Sequence, residues 1–135
     1  MAVEYVKVKR MIHVGENPGE KFVARLYRGQ DVDINQVAKD IAESTTVSFP
    51  DVLACLKAME ISLSKYILMG QAVKLGYLGS FIPTIHAKAQ ESVDKVDANT
   101  IIRFSCRFYP SVSFKANFEK CSFKEANLEV KGLIE

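Results

Sequence analysis

The segment from Phe49 to Met69 sets the tightest constraint on this chain. Val52, Leu53, Cys55, Leu56, Met59, Leu63, Tyr66, Ile67 and Leu68 recur at helical spacing, so the segment reads as one long helix. Ser48 is an N-cap candidate, Pro50 falls in the first turn and Asp51 completes an S-x-x-D box. Gly70 supplies the C-cap. The apolar arc is wide, and a helix of that kind needs partners on more than one side. Upstream, Asp33 is an N-cap with Gln36 three residues on. Ile34, Val37, Ala38, Ile41 and Ala42 then make one narrower stripe, a shorter helix. One short helix and a hairpin leave part of the long arc uncovered, which points to a second subunit. Cys55, on that arc, reads as a core residue.

Strand periodicity flanks the helices. In "VEYVKVKRMIHV" (3–14), Val6, Val8, Ile12 and Val14 share one face and Val3, Tyr5, Lys7 and Lys9 the other. "ENPGE" follows, where Pro18 and Gly19 suit the central positions of a type II turn, and "KFVARLYRG" returns. The first 30 residues therefore read as a β-hairpin. Residues 72–87 read as a strand carrying two glycines, Gly76 and Gly79, and pair with 99–109. In the latter, Ile102, Phe104, Cys106 and Phe108 form an apolar face, and Ile101, Arg103, Ser105 and Arg107 a wet one. "AKAQESVDKVDAN" between them reads as a mobile loop or arm tip. After Pro110, Phe114 and Phe118 stand at i, i+4 of a short helix starting near Ser111 or Ser113. Residues 121–135 show no period. The domain plan is thus 1–30, 31–120 and a 121–135 tail, in an α+β fold.

The charges and cysteines exclude several classes. With 135 residues, 48% hydrophobic and 25% charged, the chain can build a globular core. Its net charge of +2 is low for a dedicated nucleic-acid binder. There is no apolar run of about 18 residues and no apolar signal-type centre at the start, so no membrane partner and a cytoplasmic location are expected. Cys55, Cys106 and Cys121 are far apart and odd in number, consistent with free thiols in a reducing compartment. Neither they nor His13 and His86 have metal-ligand spacing, and the histidines read as surface strand residues. No phosphate loop, nucleophile elbow or metal cluster is present. No enzyme, cofactor or small-molecule substrate is expected.

The glycine stretch carries a resemblance. "GQAVKLGYLGSF", an arm, and then "RFYPSVSFKANFEK" look like the HU/IHF family of bacterial histone-like proteins over roughly residues 33–120. Gly76-Tyr77-Leu78-Gly79-Ser80-Phe81 matches that family's glycine signature. Phe108, Pro110, Ser111 and Val112 stand at its aromatic and Pro-Gly-Lys step, with Phe114 and Lys115 on its last helix. The added N-terminal hairpin and the tail resemble the HU-related proteins of the Bacteroidetes lineage. The resemblance implies an intertwined homodimer that binds and bends double-stranded DNA in the nucleoid with low sequence specificity. HU and IHF bind the minor groove and insert apolar wedges. It also implies that the glycine segment lies near the DNA backbone. Gly76 reads as a bend, whereas at Gly79 and Ser80 a bend and a phosphate contact are both open; Phe81 reads as core.

The arm departs from the family pattern. It is shorter, lacks the Arg-Asn-Pro tip, and from His86 to Arg103 sets Lys88, Lys95 and Arg103 against Glu91, Asp94 and Asp97. Val112 stands in place of the family's lysine, and Pro83 at the arm's base reads as an edge or bulge residue rather than a wedge. The expected DNA-binding residues are Lys74, Gly79, Ser80, Lys88, Lys95, Arg103, Arg107 and Lys115. The hairpin is the most basic region, with Lys7, Lys9, Arg10, Lys21, Arg25 and Arg28 against Glu4, Glu16 and Glu20. Its cations are either DNA-facing or ordinary solvated guards of an edge strand. Two functions follow: an HU-like DNA-binding protein, or an HU-fold interaction module with weak or no DNA binding.

Overall fold

A computed structural model describes residues 2–128, which form two compact units. The part of the tail from 129 to 135 lies outside the described residues. One unit combines residues from both ends of the chain. Here β1 (Ala2–Ile12) pairs antiparallel with β2 (Gly19–Leu26), as the alternation predicts. The connection is a loop of residues 13–18 rather than a tight type II turn. Gly19, at φ +136°, already pairs with Ile12 as the first residue of β2. The other flank of β1 is taken by a strand that the sequence does not announce. Ser122–Glu125, β6 in the chain, runs parallel to β1 with Val3 opposite Phe123. Next to it Ala126 is buried, and its N–H donates to Tyr5 O at 2.9 Å. The sheet order is β2-β1-β6.

The second unit spans Val32–Ala116. Helix α1 (Ile34–Ser44) starts where Asp33 Oδ1 accepts the Gln36 N–H at 2.9 Å. Helix α2 (Phe49–Leu68) starts at Ser48, whose Oγ accepts the Asp51 N–H at 3.4 Å, and ends at Gly70 with φ +76°. The two helices pack together. Ala38, Val52 and Ile67 are buried, and Leu56 and Leu63 complete a half-buried stripe with the latter two. Cys55 lies off that stripe and is exposed, so it is not the core residue its spacing suggests. Helix α1 covers only part of α2, and Ile61 and Leu68 remain 73% and 76% exposed.

The stretch after α2 is a hairpin, not one strand with two glycines. β3 (Val73–Lys74) and β4 (Gly79–Ala87) are joined by a turn in which the Leu78 N–H donates to Leu75 O at 3.3 Å. Gly76 occupies φ +59° in that turn. β5 (Ile101–Pro110) completes a sheet of order β3-β4-β5, with a register shift between His86 and Ala87. Helix α3 (Val112–Ala116) follows directly. Its cap is Ser111, whose Oγ accepts the Phe114 N–H at 3.0 Å and donates to Tyr77 O. The Tyr77 and Phe114 rings meet edge to face, 5.9 Å between centroids. The glycine turn and the last helix are thereby locked to one another.

Candidate nucleic-acid interface

The register of the second sheet sorts its side chains by chemistry. Phe81, Pro83 and Ile85 of β4 lie opposite Phe108, Cys106 and Phe104 of β5, on the apolar face. Ser80, Ile82, Thr84 and His86 lie opposite Tyr109, Arg107, Ser105 and Arg103, on the other face. Lys74 of β3 pairs with Ser80 and joins that second face. Four of the expected DNA-binding residues, Lys74, Ser80, Arg103 and Arg107, are therefore brought together. Thr84 and Ser105 sit between the two arginines, their hydroxyls 2.8 Å apart. Arg103 and Arg107 are four residues apart on one strand, which places them about 13 Å apart along it.

No carboxylate belongs to this face. Among the described residues, no ion pair involves Lys74, Arg103 or Arg107. All three are exposed. Three uncompensated cations with hydroxyls between them form a surface suited to phosphate oxygens. Phosphates attract Lys and Arg through counterion release and accept hydrogen bonds from Ser and Thr.

Gly79 is required for a reason internal to the fold. It is buried at φ +142°, and a Cβ there would run into Tyr109 O and come within 2.9 Å of Pro110 Cα. What comes close to Gly79 is the backbone of β5. Gly76, in contrast, faces open space, and only its positive φ requires glycine. Phe81 is half-buried against Phe108, with ring centroids 4.9 Å apart.

The remaining expected residues stand apart from this face. Lys88 follows β4, its N–H donating to Thr100 O at 2.9 Å across the base of the tip. Lys95 ends a 3₁₀ turn, Val93–Lys95, and a second turn, Ala98–Thr100, leads into β5. Asp97 caps that second turn by accepting the Asn99 N–H at 2.9 Å. The tip is thus a pair of short turns between strands that end at Ala87 and begin at Ile101, rather than a long extended arm. Lys115 is exposed on α3. His86 is an exposed strand residue and His13 an exposed loop residue, and the described residues contain no cluster able to hold a metal ion. No helix among them is long and apolar enough to cross a membrane.

Away from this face, at the start of α1, the Gln36 N–H holds the Asp33 carboxyl below its ordinary value, with help from the Asn35 side chain.

Comparison with known proteins places the chain. The family model HU-HIG, an HU domain fused to a wHTH, Ig or glycine-rich motif, matches residues 1–125. The chain belongs to this family. No curated protein matches the sequence. Among solved structures, a bacterial protein from Bacteroides vulgatus ATCC 8482, provisionally designated DNA-binding, is similar in fold. The TM-score is 0.66 at 12% identity over 92% of this chain. This chain spans about half of that one, 47% of its length.

Proposed function

We propose that this protein is a non-enzymatic, HU-like DNA-binding protein that acts as a homodimer in the nucleoid and bends duplex DNA with little sequence readout. The observation that carries the reading is the acid-free face of the second sheet. Lys74, Arg103 and Arg107 contact backbone phosphates there, and Ser80 adds a hydroxyl. Gly79 supports the face by letting β5 approach. Lys88, Lys95 and Lys115 add positive potential, the first two offset by the acids of the tip. Contacts of this kind position DNA without reading its bases.

Dimerisation follows from the apolar surface that one copy leaves uncovered. Ile85 is 58%, Phe104 46% and Phe108 43% exposed, on one face of the sheet. Ile61 and Leu68 on the uncovered flank of α2 are exposed as well, and exposed apolar groups of this kind mark interaction surfaces. A second copy of the same chain covers both.

One observation favours a second reading, an interaction module with weak DNA binding. The tip sets Lys88 and Lys95 against Glu91, Asp94 and Asp97, so it lacks the uncompensated charge that arm-mediated binding needs. Titration against a linear duplex and a nicked or four-way-junction DNA separates the two. Binding that favours the distorted DNA at about 50 mM salt and collapses at about 200 mM supports the DNA-bending role. Absence of binding at the lower salt supports the module.

A further inference from the structure

We infer that the first sheet carries a DNA-phosphate contact surface of its own, made by Arg10, Lys21 and Arg25. The inference rests on the DNA-binding reading above. It starts from the register, which divides the charges of the β2-β1-β6 sheet between its faces. Lys7 and Lys9 share one face with Glu125 and Glu20, and each is paired, at 3.4 and 2.9 Å. That face is balanced. Arg10, Lys21, Arg25 and Lys124 share the other face with one carboxylate, Glu4. Lys124 takes it at 3.7 Å. Arg10, Lys21 and Arg25 are left with no ion pair among the described residues.

The three are neighbours. Arg10 stands directly opposite Lys21 in the register, and Arg25 lies four residues beyond Lys21 on β2. Like charges directly opposite one another destabilise a strand pair. The sheet therefore carries a repulsion that a bound polyanion would relieve. Between the two ends of the patch lies only the Val8–Val23 pair. Lys21 and Arg25 are about 13 Å apart along the strand. That reach exceeds a minor groove about 6 Å wide, so the two ends can engage phosphates on opposite walls of the groove. The patch runs along a strand pair, which suits a repeating backbone of phosphates better than a single small anion. It also resolves the six basic residues of the hairpin. Lys7, Lys9 and Arg28 are solvated and ion-paired, and the other three are free to bind.

The test compares two triple variants of the full chain with the same change in net charge. R10Q/K21Q/R25Q removes the unpaired cations, and K7Q/K9Q/K124Q removes the paired ones. The readout is the slope of log affinity against log salt on a short duplex. Each phosphate contact contributes about 0.9 to that slope. The unpaired set is expected to flatten it by about 2.7 and to weaken binding at 0.1 M salt by up to about 500-fold; the paired set changes it by less than about 1. R10Q/K21Q/R25Q should melt no lower than wild type, because it removes a repulsion. Should it fail to fold, R25Q alone, opposite Val6, is expected to flatten the slope by about 0.9. Equal slopes for the two triple variants would overturn the inference by reducing it to net charge. A wild-type slope in R10Q/K21Q/R25Q, with K74Q/R103Q/R107Q still impaired, would overturn it alone and turn attention to an acidic protein partner. Failure of the wild type to bind DNA would overturn it together with the reading beneath it.

Discussion

The two sheets of this protein handle charge differently. The β2-β1-β6 sheet contains carboxylates, and three of its lysines are neutralised by them. The cation-bearing face of the β3-β4-β5 sheet contains no carboxylate. A formal net charge of +2 conceals both patterns. The strand register, not the total, decides where positive potential is left over. This is how a nearly neutral chain can leave uncompensated cations on its sheet faces while its tip sets two lysines against three carboxylates.

Both sheets leave apolar side chains exposed, Phe22 and Phe123 in the first and Phe104 and Phe108 in the second, and the largest effect should come from breaking the solution proposed for the second. Phe104→Asp combined with Phe108→Asp places two carboxylates on the face assigned to the partner copy. Sedimentation should show a dimer for the wild type and a monomer, or no folded protein, for the variant. A wild-type monomer would contradict the dimer outright.

The next effect sharpens the contrast between the two glycines of the β3–β4 hairpin. Gly79→Ala combines a positive φ, about 1–2 kcal/mol, with a clash against β5, about 1–3 kcal/mol. A destabilisation of about 3 kcal/mol by denaturant unfolding is expected from the two together. Gly76→Ala has the φ penalty alone and should cost about 1 kcal/mol. Equal effects would mean that β5 does not crowd Gly79.

A smaller change should come from Ser111→Ala, which removes both the α3 cap and the hydroxyl that holds the Tyr77 carbonyl. A destabilisation of about 1 kcal/mol is expected in the same measurement. The smallest effect is on pH. The lowered Asp33 pKa means that the ionised form is favoured in the folded state. Its stabilisation is present above the ordinary value of 3.8 and is lost as pH falls through the lower folded value. Thermal melts of wild type and D33N should differ at neutral pH and converge in acid. A difference that grew on acidification would reverse the assignment.

Much of this architecture is legible in the sequence because it is local. Asp33 and Ser48 cap helices where their spacing says they should, and of the two serines open for the last helix, Ser111 and Ser113, it is Ser111 that caps, since a cap needs only a side-chain oxygen and an N–H three residues on. Alternation in 101–109 correctly divides Arg103 and Arg107 from Phe104 and Phe108. The non-local features are the ones that stay hidden. β6 is four residues long, and its pairing depends on β1 more than a hundred residues earlier, which no local period can signal. The bend at Gly76 is legible in the glycine itself, but the apolar residues around it, Leu75, Tyr77 and Leu78, read as continuous strand and hide that the chain reverses there. Cys55 misleads because helical spacing shows an apolar arc but not how much of it a single neighbour covers. Among the hairpin cations, composition counts six, and only the register together with the ion pairs shows which three lack a carboxylate.

The central claim is that the acid-free face of the β3-β4-β5 sheet holds DNA through phosphates. It is tested most directly by the salt dependence of duplex binding in wild type and in K74Q/R103Q/R107Q. A steep wild-type slope that flattens by about 2.7 in the variant is the predicted result, about 0.9 for each phosphate that the variant no longer neutralises. Binding with an unchanged slope in the variant would contradict the claim and move the interface elsewhere on the molecule.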